Sequence, residues 1–479
     1  MEVEREDERL VSPPASPAPF VTATVLLLAA TIFISLASVV KKDRAPLEGK
    51  ATEYLLQGDM LFRLSGLSLK GATYAQMGTL WQSTARQYYE KAAKMGAPAA
   101  IRRLVVLAGE EGRPTGPILA QMTSAKVTAA VGKSAAKSYR DEVSLWKRVY
   151  GPVRIPRQEA SRIAVRVREL NLGPLRHLAL ATVYVKGGMP SKADAQQKQV
   201  ARSALIAIFT LAAMLIGAAL LSLVGVVALV VYLTAPSRMA GTEPIIVPAN
   251  RVYALWAAFA LFLILLLLMA DLPVVLLSAF SRAVEQWGAS IVVALAGYAA
   301  AGGIALGVGA RLLRPDGLRA VGLRSRDFGK EALYGLAAYG AIIPVMAVAM
   351  FVSTWITGRY DRPTEVHPIV FAIAQSGPWL KAVILVCVAV VAPIVEETFF
   401  RGMLLNALRQ RFGVVGAVVV TSVVFALIHP QLPAGFLPLF VLACGLGAMT
   451  VIRGSLIPAI VAHGINNAAA FLIAWALLG

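Results

Sequence analysis

From Ala204 to Leu233 the chain contains no charged residue. At about 1.5 Å of rise per helical residue, such a run is long enough to cross a hydrocarbon core of about 30 Å. Lipid offers no solvent partner to a backbone amide, so spans of this kind are expected to be helices. Similar runs follow at Val252–Phe280, Ala289–Leu312, Ala332–Ile356, Leu380–Arg401, Val414–His429, Phe436–Ile452 and Leu456–Leu478. The chain is 57% hydrophobic and only 15% charged, above the roughly 45–50% apolar content of an ordinary soluble domain. The expected fold class is all-α: a polytopic transmembrane bundle of about eight helices, with an N-terminal anchor helix and a helical extramembrane domain. The expected place is a multi-pass one in a bacterial cell membrane, in contact with lipid.

The apolar runs divide the rest. Residues 1–19 are acidic and proline-rich and read as a disordered tail. Residues 20–40 form an uncharged run. Ser35-Leu36-Ala37 looks like a cleavage site, but the preceding region is acidic where a secretory signal is basic. An uncleaved anchor is the favoured reading. Residues 41–200 carry much of the net charge of +19 and have a helix-forming, water-exposed composition. Within them Ala85, Tyr88, Tyr89, Ala92 and Ala93 share a helical stripe, and Gly96 is placed to end that helix with a left-handed residue. The segments beginning at Gly96 and Gly173 echo one another and resemble the small-residue hairpins of tetratricopeptide or Sel-like repeats. Hairpins of that type bind proteins or peptides, so a protein partner is expected there. Residues 201–288 add transmembrane helices, and 289–479 hold the residues suited to chemistry.

In a membrane chain a basic excess reports headgroup contact and loop orientation, and no nucleic-acid partner is expected. Arg311, Arg314, Arg319, Arg324, Arg326 and Lys330 crowd one loop, while Arg409, Arg411 and Arg453 mark two others. If every span is real, all three loops share one side, which the charge rule makes cytoplasmic, and residues 41–200 then lie outside. Cys387 and Cys444 offer neither a disulfide framework nor a CxxC metal signature.

Ionisable side chains at membrane depth cost about 2.5–3.5 kcal/mol even on the mildest scale. Glu396 and Glu397 stand together in Val390-Val-Ala-Pro-Ile-Val-Glu-Glu-Thr-Phe-Phe-Arg401. Glu397 and Arg401 are four apart and can pair on one helical face. Glu396 points about a third of a turn away, with no such partner, which suits it to general acid–base work. Phe425 and His429, and likewise His463 and Asn467, repeat the four-residue spacing. Single polar residues in membrane helices often only hold neighbouring helices together, but six in three helices at fixed spacing point to a site. The remaining histidines, His177 and His367, are read as ordinary surface or core residues.

Glu396-Glu397-x-x-x-Arg401, Phe425-x-x-x-His429 and His463-x-x-x-Asn467 resemble the three motifs of the CPBP superfamily, which contains the CAAX prenyl endopeptidases and the Abi proteases. Phe399-Phe400-Arg401-Gly402 and the run from Gly454 to His463 are also similar. The resemblance covers roughly Leu380–Leu478, and more loosely the helices from Ala289, so that 289–479 would form the CPBP-type core; it does not reach residues 41–200. It implies an intramembrane endopeptidase acting on membrane-associated peptides, whether prenylated CAAX-type or leader-bearing. By the same resemblance Glu396 and His429 would activate a water, His463 and Asn467 would hold the oxyanion, and Glu397, Arg401 and Phe425 would support them. No cofactor is required for that mechanism. If zinc is bound, Glu396, His429 and His463 are its candidate ligands, although no HExxH helix is present. The alternatives are a non-proteolytic membrane scaffold that recruits partners through residues 41–200 and, on intramembrane charge alone, a transporter.

Overall fold

The computed structural model describes residues 18–19, 21–29, 31, 47–65, 75–131, 133–239, 244–271, 287–324, 327–358, 368–429 and 431–478. Ser35-Leu36-Ala37, Leu272–Phe280, Arg326 and His367, all named above, lie outside these. Every regular element among the described residues is helical. Among the described residues, seven helical stretches are long and apolar enough to cross a membrane, so the protein is an integral, multi-pass membrane protein. The chain divides into two compact units. One comprises Met1–Ala37, Ala218–Gly358 and Gln375–Ala468, and the other Ser38–Gly217, Arg359–Ala374 and Ala469–Gly479.

The second unit contains α1 (Leu47–Ser65), α2 (Ala75–Lys94), α3 (Pro98–Glu110), α4 (Gly116–Met122), α5 (Ala125–Val131), α6 (Lys133–Tyr150), α7 (Arg157–Glu169) and α8 (Arg176–Lys186). α2 stops at Lys94 and Gly96 takes φ 88°, the left-handed ending expected of it. Its stripe faces inward: Ala85, Tyr89 and Ala92 are buried, and Tyr88 packs against the same core. A charge network is buried with them. Arg103 reaches both oxygens of Asp59 at 2.7 Å, and the Tyr89 hydroxyl donates to Asp59 at 2.8 Å. Arg103 also donates to the Ala99 and Asn171 carbonyls at 3.0 Å. Burial, reinforced by Asp59, holds the Tyr89 hydroxyl well above the ordinary tyrosine range. His177 bonds Gln196 at 2.8 Å.

A helix of 45 residues, α9 (Pro190–Thr234), begins before Val200 and runs through the whole expected span Ala204–Leu233. The membrane unit continues with α10 (Val252–Leu266), α11 (Trp287–Leu312), α12 (Phe328–Gly358), α13 (Pro378–Val386), α14 (Ala392–Glu397), α15 (Leu405–Ile428), α16 (Phe436–Arg453) and α17 (Ile457–Leu478). From Pro378 to Ile428 the helices run on without a loop, so two expected spans fall in one stretch. Gly413 separates them with φ 66° and ψ −177°, a conformation that costs a residue with a Cβ far more than glycine. Two other glycines matter for packing. A Cβ on Gly225 would stand 2.0 Å from the Ala341 nitrogen, and one on Gly340 would stand 2.0 Å from the Leu221 carbonyl oxygen. α9 and α12 therefore touch backbone to backbone, as membrane helices do where small residues meet.

The core beside the glutamates is aromatic. Phe262 stacks on Phe399 at 4.1 Å, while Phe259 meets Phe400, and Phe400 meets Phe425, edge-on. The N-terminal run joins this core where it is described: residues 21–29 are helical, Leu28 is buried there, and Thr24 donates to the Trp256 carbonyl at 3.3 Å. The three basic loops converge at one end of the bundle. Arg251 pairs with Asp316, Arg453 pairs with Glu331, and Arg324 donates to the Gly454 and Pro244 carbonyls. Arg409 donates to the Ile245 carbonyl at the same end.

Candidate active site

The site is built on a helix that departs from regular geometry on both sides of the glutamates. π-helical turns at Cys387–Val391 and Thr398–Leu404 flank the single α-turn Ala392–Glu397. Pro393 gives a local cause. In the wider register its position would donate to Val388, but proline has no N–H. The Val388 carbonyl instead accepts from the Asn467 amide at 2.9 Å. One face of α17 thereby docks on the irregular turn, and Gly464 makes the approach close, since a Cβ there would stand 2.4 Å from the Ala389 oxygen.

The two adjacent carboxylates have different surroundings. Glu397 is fully buried and accepts from Arg401 at 3.0 Å and from His463 Nδ1 at 2.8 Å. Arg401 is equally buried, donates to the Ala443 carbonyl and lies over the Phe425 ring at 4.4 Å. Glu396 keeps 18% of its side chain exposed. Its Oε1 accepts from the Tyr298 hydroxyl at 3.0 Å, and its Oε2 has no hydrogen-bond partner among the described residues. His463 Nε2 lies 3.7 Å from that oxygen.

His429 ends α15: its φ/ψ of −80°/141° is extended, and its Nδ1 lies 2.6 Å from the Phe425 carbonyl. If Nδ1 carries the proton in that bond, Nε2 of the neutral ring is left with a lone pair. Phe425 is the hub of the arrangement. It lies 4.3 Å from the His429 ring, 5.8 Å from the His463 ring, and beneath Arg401.

The structure thus brings Glu396, Glu397, Arg401, Phe425, His429 and His463 around one point, with Asn467 bound to the neighbouring turn. His463 and Asn467 share a helical face as their spacing suggests, yet each is engaged, His463 by Glu397 and Asn467 by Val388. Three further residues join that sequence reasoning missed. Tyr298 bonds Glu396. Tyr339 donates to Asn466 Oδ1 at 3.1 Å, and Asn466 donates to Asn467 at 3.3 Å. Their only sequence signal is a polar atom in otherwise small, apolar helices, which is weak without the fold. Among the described residues no group of three or more His, Cys, Asp or Glu side chains is arranged to hold a metal ion. The zinc set Glu396, His429 and His463 does not fit that requirement, so no step below is routed through a metal.

All three motifs fall inside one recognisable segment. Residues 378–469 match the family described as type II CAAX prenyl endopeptidase Rce1-like. The match supports the CPBP/CAAX protease superfamily, in which the CAAX-type enzymes are intramembrane proteases. Tyr298 and Tyr339 lie outside the Rce1-like segment, on helices that precede it. Comparisons with curated proteins and with solved structures find no match.

Proposed function

We propose that the protein hydrolyses a peptide bond of a membrane-associated peptide, with Glu396 and His429 activating the attacking water. The observation that carries this reading is the asymmetry of the glutamates. Each keeps one oxygen without a hydrogen bond among the described residues, but Glu397 is sealed into an ion pair away from water, while Glu396 has no such cation and stands in a partly open position. A water bonded to Glu396 Oε2 would give its proton to the Glu396–His429 pair as its oxygen attacks the scissile carbonyl. The same proton would then pass to the leaving amine as the C–N bond breaks, so the net reaction consumes one water.

His463 is oriented by Glu397, much as a catalytic histidine is held by a carboxylate. With Nδ1–H given to Glu397, its Nε2 donates to an oxyanion only when the ring carries a second proton. Asn467 has two amide hydrogens, and the one not bonded to Val388 is the further candidate donor. Such donors are worth about 2.7–4 kcal/mol each. Tyr298 holds Glu396 in place from the neighbouring helix. The substrate class is a hydrophobic or lipidated peptide, presented within or beside the bilayer, and residues 41–200 are suited to recruiting a protein partner.

The test is cleavage of a membrane-anchored reporter in cells producing wild type or Glu396→Ala, with mass spectrometry of the membrane peptides that accumulate in the variant. Accumulation of uncleaved peptides in the Glu396→Ala cells supports the proposal. Equal cleavage of the reporter by both proteins refutes the assignment of Glu396.

A further inference from the structure

Two cavities of opposite chemistry meet in the membrane unit. The first is a cleft of about 1150 Å³ at the end where the basic loops converge. Its cations are Arg251, Arg319, Arg324, Lys330 and Arg453, against the acids Asp316, Asp327 and Glu331. Most of these charges are internally matched, as Arg251 is with Asp316 and Arg453 with Glu331. Arg319 is exposed, and its guanidinium has no hydrogen-bond or ion-pair partner among the described residues. The cleft therefore presents a net positive lining with one guanidinium free for an anion.

The second cavity is a groove of about 270 Å³ between α9, α12, α16 and α17. Gly225, Ala228, Ala338, Gly445 and Ala448 leave it open, and Leu229 and Met449 line it with hydrocarbon. Its polar groups are Arg453, Tyr232 and Tyr334. Arg453 lines both cavities and lies over the Tyr334 ring at 3.8 Å. The two also adjoin over short stretches, Glu331 to Tyr334 on α12 and Ser455, just before α17, to Pro458 in its first turn.

We propose that this composite cavity binds an anionic glycerophospholipid, with the phosphate in the basic cleft at Arg319 and one acyl chain in the apolar groove. Charge complementarity selects the anion, because basic pockets between membrane helices hold anionic headgroups. A free phosphate would use only the cleft, and an uncharged chain only the groove. An amphiphile uses both. The lipid would brace the helices that carry the site. Tyr339, next to groove residue Ala338, bonds Asn466, and Pro458 stands on the same helix as His463.

The experiment measures lipid binding by native mass spectrometry of the full-length, delipidated protein in detergent. Phosphatidylglycerol, phosphatidylcholine of the same chain length, and glycerol 3-phosphate are added in turn. Arg319→Ser removes the free cation, and Ala448→Trp fills the groove at a residue that is exposed and outside the core. Phosphatidylglycerol is expected to bind about fivefold more tightly than phosphatidylcholine, the weight of one basic side chain at an anionic surface. Arg319→Ser is expected to abolish that preference, Ala448→Trp to weaken binding of both lipids, and glycerol 3-phosphate to displace neither. Equal binding of the two lipids, or an unchanged preference in Arg319→Ser, overturns the proposal. So does displacement by glycerol 3-phosphate, which identifies a soluble-anion site. If Ala448→Trp fails to fold, Arg319→Ser decides alone.

Discussion

Replacing Glu397 by glutamine removes one charge from a pair with almost no access to water, 0% and 1% exposed for the two side chains. At 3.0 Å and an effective dielectric of about 20, two unit charges attract by about 5.5 kcal/mol before desolvation is counted. That attraction offsets the cost of burying both groups, and the net worth of the intact pair is small. The loss of one partner is different, because it strands a buried guanidinium and costs about 3–5 kcal/mol. The assay is denaturant or thermal unfolding in mixed micelles of wild type, Glu397→Gln, Arg401→Met and the double variant Glu397→Leu/Arg401→Met. Each single variant should lose about 3–5 kcal/mol, and the double variant should recover most of that stability. Peptidase activity should stay low in the double variant, because His463 Nδ1 has lost its carboxylate. The reasoning is refuted if Glu397→Gln unfolds like wild type, or if the double variant loses the sum of the two single losses.

Three further outcomes follow from the same geometry. Asn467→Ala strands the Val388 carbonyl and should cost about 1–3 kcal/mol; Pro393→Ala, which supplies an N–H to that carbonyl, should rescue part of the loss, and a rescue of zero would contradict the account of the π turn. Tyr298→Phe removes the hydroxyl from Glu396 and should lower kcat about tenfold, for a hydrogen bond worth about 1–1.5 kcal/mol, whereas an unchanged kcat would show that Glu396 needs no such anchor. In the second unit, the folded state holds the Tyr89 hydroxyl above its unfolded value. Its contribution is therefore intact below about pH 10 and is lost as pH rises further, when the unfolded chain ionises and the folded one does not. Hydrogen exchange of α2 should show that alkaline loss in wild type and a flatter profile in Tyr89→Phe; identical profiles would remove Tyr89 as the cause.

The membrane helices and the motif residues were legible because each leaves a local mark. Uncharged runs mark spans, and a four-residue spacing marks a shared helical face, so Glu397 with Arg401 and Phe425 with His429 could be paired on sequence alone. Gly96 was equally legible, since a left-handed ending is a one-residue requirement. Contacts between distant helices were not. Nothing local tells Tyr298 that its hydroxyl will meet Glu396, and nothing marks Asn466 apart from its neighbour Asn467. The irregular turn around Pro393 was hidden for another reason. A membrane helix tolerates proline if some other group satisfies the freed carbonyl, and here that group, Asn467, comes from another helix. Its pairing with Val388 shows that half of an expected donor set also holds the backbone.

The central claim is that Glu396 drives hydrolysis while Glu397 holds the architecture. It is tested most directly by reconstituting purified wild type and Glu396→Gln in liposomes with a membrane-anchored peptide reporter, and following the cut by mass spectrometry beside thermal unfolding. The account predicts a defined cut by wild type, none by Glu396→Gln, and closely similar unfolding midpoints, since Glu396 lies outside the buried ion pair. Cleavage by Glu396→Gln at the wild-type rate would contradict it.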